Sequence, residues 1–165
     1  MTGANLTRVS PVLTDARLPA IVRACRPIHS QSDKIVDVTD DRSRVDVEQL
    51  LELYRTTWWA HDRSLELVRR ALDHSHPVLT VWDGPTLIGF ARVISDLTFR
   101  ATIWDVIVRP SHQGRGIGTQ LMHAVLDHPD LKTVTTFFLL TRDKHSFYER
   151  LGFRHEPDKS MILRR

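Results

Sequence analysis

The sequence predicts a mixed α/β domain: a largely antiparallel sheet with helices packed on its faces. Three observations lead there. Two amphipathic helical periods open the domain, β-rich runs joined by turn residues fill its middle, and a strand-helix-strand-helix order closes it. A chain of 165 residues is sized for about one domain. With 41% apolar and 26% charged residues, it has the composition of a globular protein that builds a core without cross-links.

Residues 1–33 sustain neither a period of 2 nor one of 3.6, and Pro11, Pro19 and Pro27 punctuate them. They read as a flexible N-terminal extension, with the domain proper at residues 34–165. Ile35 to Val38 is a short first strand. Val47, Leu50, Leu51 and Tyr54 then recur at helical spacing, and Leu65, Val68 and Leu72 mark a second helix whose start offers Asp62 and Ser64 as caps. Pro77 to Trp82 and Leu87 to Ile94 flank Asp83-Gly84-Pro85-Thr86, the chemistry of a hairpin turn. A further strand, Thr98 to Val108, leads into a glycine cluster that opens a helix with the stripe Ile117, Leu121, Ala124 and Val125. Lys132 to Leu140 is a strand, Asp143 is placed to cap a short helix through Arg150, Gly152 stops that helix, and Met161 to Leu163 is a last strand.

Composition excludes several functions. The net charge is +3 with the two signs interspersed, so there is no basic block for a nucleic acid. No apolar run is long enough to cross a bilayer. Cys25 is the single cysteine, which rules out an internal disulfide or a CxxC pair and suits a reducing, cytoplasmic setting. Arg8, Arg17, Arg23 and Arg26 against Asp15 alone give the extension the composition of a transit segment, the competing reading. The nine histidines include no HExxH and no third ligand at informative spacing beside His74 and His76, so no metal is expected.

Gln113-Gly114-Arg115-Gly116-Ile117-Gly118 lies between a strand and an amphipathic helix. Bare backbone N–H groups and the positive end of a helix dipole meet there, and together they bind anions. Glycine lets the backbone approach a phosphate, and Arg115 and Gln113 are candidate extra donors. GxxxxGK[ST] is absent. The dinucleotide pattern GxGxxG fails because Thr119 stands where the third glycine belongs.

The same residues, followed about thirty positions later by Phe147-Tyr148-Glu149-Arg150-Leu151-Gly152-Phe153, resemble the two signatures of the GNAT superfamily of acyl-CoA-dependent N-acyltransferases. The resemblance runs from Ile35 to Leu163. From Trp58 to Phe153 the sequence resembles a bacterial and plastid-type branch that includes arylalkylamine (serotonin-type) acetyltransferases. The resemblance implies a GNAT-like sheet of about six to seven strands flanked by about four helices, with acetyl-CoA as co-substrate. By position, Val106, Ile107 and Val108 match the strand end that pairs with the pantetheine arm. Gln113, Gly114, Arg115, Gly116, Ile117, Gly118 and Thr119 match the pyrophosphate loop, and Tyr148 matches the tyrosine near the thioester sulfur. Thr141 departs from the pattern, which often has Asn there.

Acyl transfer to an amine needs a neutral amine, a stabilised oxyanion and a protonated leaving thiol. An alkylammonium of pKa near 10.4 is neutral in only about one molecule in 2,500 at pH 7, so deprotonation must recover roughly 4–5 kcal/mol. Asp105 is the first candidate base, ahead of Asp143, His145 and Asp62. A main-chain N–H near Val108 suits the oxyanion. Tyr148 is the candidate acid, its pKa expected to be lowered by its place early in a short helix. Trp58, Trp59, Phe99 and Trp104 are candidate walls of an acceptor pocket, which would suit a small aromatic or apolar primary amine. A protein or peptide amino group is the alternative acceptor, and a non-catalytic acyl-CoA-binding module the alternative class. A monomer or homodimer is expected.

Overall fold

The computed structural model describes residues 36–159 and 161–163; the expectations for residues 1–33 and for Ile35 fall outside them. In chain order the elements are β1 (Asp37–Thr39), α1 (Val47–Arg55), α2 (Leu65–Asp73), β2 (Val78–Asp83), β3 (Thr86–Ser95), β4 (Arg100–Val108), α3 (Ile117–Leu126), β5 (Thr136–Leu139) and α4 (His145–Glu149). The strands form one sheet in the order β1-β2-β3-β4-β5, antiparallel except for the parallel β4–β5 pair. A parallel neighbour requires a crossover, and α3 supplies it.

The sheet separates two apolar layers. On one face Leu50, Leu53 and Tyr54 of α1 and Val68 and Leu72 of α2 pack with Val78, Trp82, Leu87, Phe90 and Ile107. On the other, Ile117, Leu121, Met122 and Val125 of α3 cover Leu79, Val81, Ile88, Ala91, Val93, Ala101 and Ile103. The buried stripe of α1 thus runs through Leu53, whereas Leu51 is only partly buried. Local chemistry fixes the helix starts. Asp46 accepts from the Glu48 and Gln49 amides, and Ser64, not Asp62, accepts from the Leu67 amide at 3.3 Å. Among the described residues no helix is long and apolar enough to cross a membrane.

Three sequence expectations need correction. Five strands are present among the described residues, short of six to seven. Met161 to Leu163 form no strand; they are exposed, and three residues without a ladder partner cannot hold an extended pairing alone. Asp143 does not cap α4. Thr141 Oγ1 instead accepts from the Lys144 amide at 3.1 Å, while Asp143 lies 3.1 Å from Lys144 Nζ.

Candidate active site

The site is organised by β4. Its first half pairs with β5 from Arg100–Thr136 to Ile103–Leu139. From Trp104 onward the β5-facing edge of β4 has no strand partner among the described residues, so the stretch of Val106, Ile107 and Val108 carries no ladder bonds on that edge, and the Val108 carbonyl is met by Gln113 instead. At the same place the β3–β4 ladder slips, pairing Phe90 with Ile107 but Arg92 with Trp104. The extra residue lies on β4, and Asp105 has a φ of 55°. An extra residue of this kind re-aims neighbouring side chains: Trp104 and Asp105 both meet Arg92, one through its ring and one through its carboxylate.

Beyond the strand, a single turn of 3₁₀-helix (Pro110–His112) leads to the glycine turn. Gly114 and Gly116 have φ of 76° and 78°, which side chains disfavour. A Cβ at either would meet nothing within 4 Å, so backbone conformation is what requires glycine there. Gly118 is different: an added Cβ would come within 3.5 Å of the Phe147 ring, which seats α4 against the first turn of α3. Among the described residues no side chain caps α3 and no acid occupies its first turn, so the positive end of its dipole has no side-chain counter-charge on the helix itself. Arg115 and Thr119 are exposed. Gln113 does not extend toward an anion, because its Nε2 donates to the Val108 carbonyl at 2.9 Å and closes the turn onto the strand end.

Tyr148 is partly buried on α4, packed edge-on against Phe147 at 4.9 Å and Phe153 at 5.9 Å. The expected lowering of its pKa does not occur. Burial raises it, and the Asp143 carboxylate raises it further. A helix of five residues has too little dipole to offset those effects. The phenol therefore stays protonated at neutral pH.

Asp105 is the most heavily engaged side chain of the region. Tyr54 donates to Oδ2 at 2.7 Å, Arg63 donates to Oδ2 and Oδ1 at 2.7 and 3.0 Å, and Arg92 Nε donates to Oδ2 at 2.6 Å. Burial alone would raise its pKa; the Arg63 hydrogen bonds and the Arg92 charge outweigh burial and hold the carboxyl below its ordinary range. Burial and the Asp105 charge push the Tyr54 phenol far up, so it remains a donor.

Trp58 and Trp59 lie on the α1–α2 connection with 62% and 40% of their surface exposed. Arg142, from the segment after β5, sits 5.1 Å above the Trp58 ring. Trp104 is partly buried beneath Arg92, 5.9 Å from guanidinium to ring centre. Phe99 is exposed and precedes β4, six positions from Asp105, a run of about 20 Å along a strand. The structure thus gathers Trp59, Trp104 and Asp105 around two arginines and leaves Phe99 apart. Sequence reading missed Tyr54, Arg63 and Arg92 as site residues. Arg92 left a signal, a charge in the middle of an apolar strand; Arg63, in a polar connection, left none.

Three of the described histidines have a carboxylate partner within hydrogen-bonding reach. His76 bonds Asp130 at 2.7 Å, His128 bonds Asp40 at 3.0 Å, and His112 lies 3.4 Å from Asp83. Among the described residues no three His, Cys, Asp or Glu side chains converge as a metal site.

The sequence profile of the Acetyltransferase (GNAT) family matches residues 45–153. The chain belongs to this family. Its relatives include the "Uncharacterized N-acetyltransferase ycf52" of Porphyra purpurea, 38% identical over 121 residues, covering 69% of this chain and 68% of that protein. Another is the "Serotonin N-acetyltransferase 2, chloroplastic" of Oryza sativa subsp. japonica, 34% identical over 119 residues, covering 69% of this chain and 59% of that one. Among solved structures, a Xanthomonas campestris protein described as belonging to the GNAT family superposes with a TM-score of 0.72 at 39% identity, over 81% of this chain and 95% of that one. The protein is a GNAT N-acetyltransferase, a family whose members use acetyl-CoA as co-substrate and act on amines.

Proposed function

We propose that this GNAT enzyme transfers the acetyl group of acetyl-CoA directly to the primary amine of a small aromatic or apolar acceptor. One observation carries the reading. The open main-chain edge from Trp104 to Val108 runs straight into a glycine turn and an uncapped helix start. A pantetheine arm can add to such an edge as a strand would, with its pyrophosphate on the amides of residues 114–119.

Tyr148 is the proposed hydrogen donor to the departing thiolate. The amine nitrogen forms the bond to the acetyl carbon, the carbon–sulfur bond breaks, and the phenol donates a hydrogen bond to the departing thiolate, which takes its proton from solvent. A phenol of reference pKa about 10 facing a thiol of about 8.5 makes full transfer uphill by roughly 2 kcal/mol. The raised pKa of Tyr148 increases that gap, so its contribution is best described as a strong hydrogen bond in the transition state. A main-chain amide near Val108 is the proposed oxyanion donor.

We assign Asp105 a positioning role in place of base catalysis. Two guanidiniums and a phenol already use its lone pairs. An ordinary aspartate already lies about 6 pKa units under an alkylammonium, so direct transfer costs roughly 8 kcal/mol, and the Arg63 and Arg92 contacts that hold Asp105 below its ordinary range add to that. Desolvation of the amine and a water path to solvent take over deprotonation. Exposed Trp58 and Trp59 rings support an aromatic acceptor, because tryptophans serving only as core would be covered.

A thiol-release assay with acetyl-CoA against tryptamine, phenylethylamine, polyamines, amino acids and basic peptides tests the reading. Turnover is expected with the arylalkylamines first. Release with peptides alone would move the acceptor to a protein amino group. Tight acetyl-CoA binding without release from any amine would leave a binding module.

A further inference from the structure

We propose that Arg63 is a positioning residue for the acceptor: it ties the α1–α2 connection, which carries Trp58 and Trp59, to the bulge of β4. The inference rests on the acetyl-transfer reading above and adds a residue that sets where the amine sits relative to the thioester.

Arg63 ends that connection, immediately before the Ser64 cap of α2. Its guanidinium grips Asp105 with both terminal nitrogens, at 2.7 and 3.0 Å. The same plane lies 4.5 Å from the Tyr54 ring centre and 5.4 Å from that of Trp59. One group therefore touches α1, the connection and β4. Its partner Asp105 has the positive φ of the bulge and directly precedes the open edge of Val106 to Val108. A shift of the guanidinium would move the tryptophan wall and the thioester edge relative to each other.

Charge balance does not explain Arg63. Arg92, with a side chain only 11% exposed, already meets Asp105 at 2.6 Å and is further held by Ser75 Oγ at 3.2 Å. One arginine neutralises the carboxylate, and a second leaves the group with a net positive charge. What Arg63 adds is a planar fork that holds both Asp105 oxygens while its carbon lies against the Tyr54 and Trp59 rings, a geometry that an ammonium cannot reproduce. Arg63→Lys thus keeps the charge and removes the geometry.

The test compares wild-type protein with Arg63→Lys and Trp59→Leu, using tryptamine and acetyl-CoA. In both variants the tryptamine KM is expected to rise about tenfold, with kcat within about threefold and acetyl-CoA affinity within about twofold by calorimetry. Trp59→Leu removes the wall ring itself and sets the size of effect that displacing it through Arg63 should approach; if the lysine variant fails to fold, Arg63→Gln, which keeps one planar amide toward Asp105 and loses the fork, takes its place. Iodide quenching of tryptophan emission needs no turnover and should increase in Arg63→Lys as the connection loosens. An unchanged tryptamine KM in both variants, unchanged quenching, or an equal loss of acetyl-CoA affinity overturns the proposal. Absence of thiol release from wild-type protein with every amine is a different result, and it overturns the acetyl-transfer reading.

Discussion

The two halves of the proposed site beside β4 are built by opposite means. The anion wall is continuous in sequence: Gln113 to Thr119 make a turn whose amides need only glycine dihedrals and a helix start. The proposed acceptor wall is assembled across the chain, since Asp105 takes its donors from Tyr54, Arg63 and Arg92, up to 51 positions away. Backbone amides are fixed once the local fold forms. Side-chain donors are fixed only when several elements have packed, so the second wall should be the more sensitive to single substitutions elsewhere in the core.

The sharpest break between the two walls should come from Asp105→Ala, which strands two guanidiniums in and near the core. A loss of about 3–5 kcal/mol of folding stability is expected, read as a lower urea midpoint, while the folded fraction keeps its acetyl-CoA affinity. An equal loss of cofactor affinity would show that the walls are not separable. Next, Tyr148→Phe should reduce kcat about 100-fold with acetyl-CoA dissociation constants little changed; full turnover in this variant would remove the phenol from the chemistry. On the anion wall, Gly116→Val forces a branched residue to a φ of 78°. It should weaken acetyl-CoA binding about 30-fold for roughly 2 kcal/mol of strain, leaving acceptor KM untouched.

The acid limb of stability sharpens the same contrast. Asp105 has a folded pKa below its unfolded value, so its contribution is complete above about pH 4, the unfolded value, and is lost as pH falls through the folded one. The stability gap between wild-type protein and Asp105→Asn should therefore be flat from pH 5 to 8 and close only in strong acid. A gap that changes near neutrality would point to another titrating group. The smallest effect is expected from Gln113→Ala, which removes the bond to the Val108 carbonyl: about 1 kcal/mol, seen as a severalfold rise in the acetyl-CoA dissociation constant.

Helix faces, the hairpin at Gly84-Pro85 and the glycine turn were legible because each is a local matter of period or dihedral. The helix of Leu50 and Tyr54 and the stripe of Ile117, Leu121 and Val125 emerged at the expected spacing. Boundaries and roles that depend on partners were not legible. Met161 to Leu163 had strand composition but no neighbour in the sheet. Asp105 stood out as a charge on a central strand, but its saturation by three donors depends on residues distant in sequence.

By itself the sequence determined the order of elements, the glycine turn and the aromatic-rich helix of Tyr148, because dihedral preference and hydrophobic period act within a few residues. Only the tertiary structure decided that β4 parts from β5 at Trp104, that Asp105 is bound by two arginines, and that Phe99 is exposed apart from that cluster. Those features depend on which strands and side chains meet across the sheet. Such meetings are set by packing among distant segments, and no local pattern encodes them.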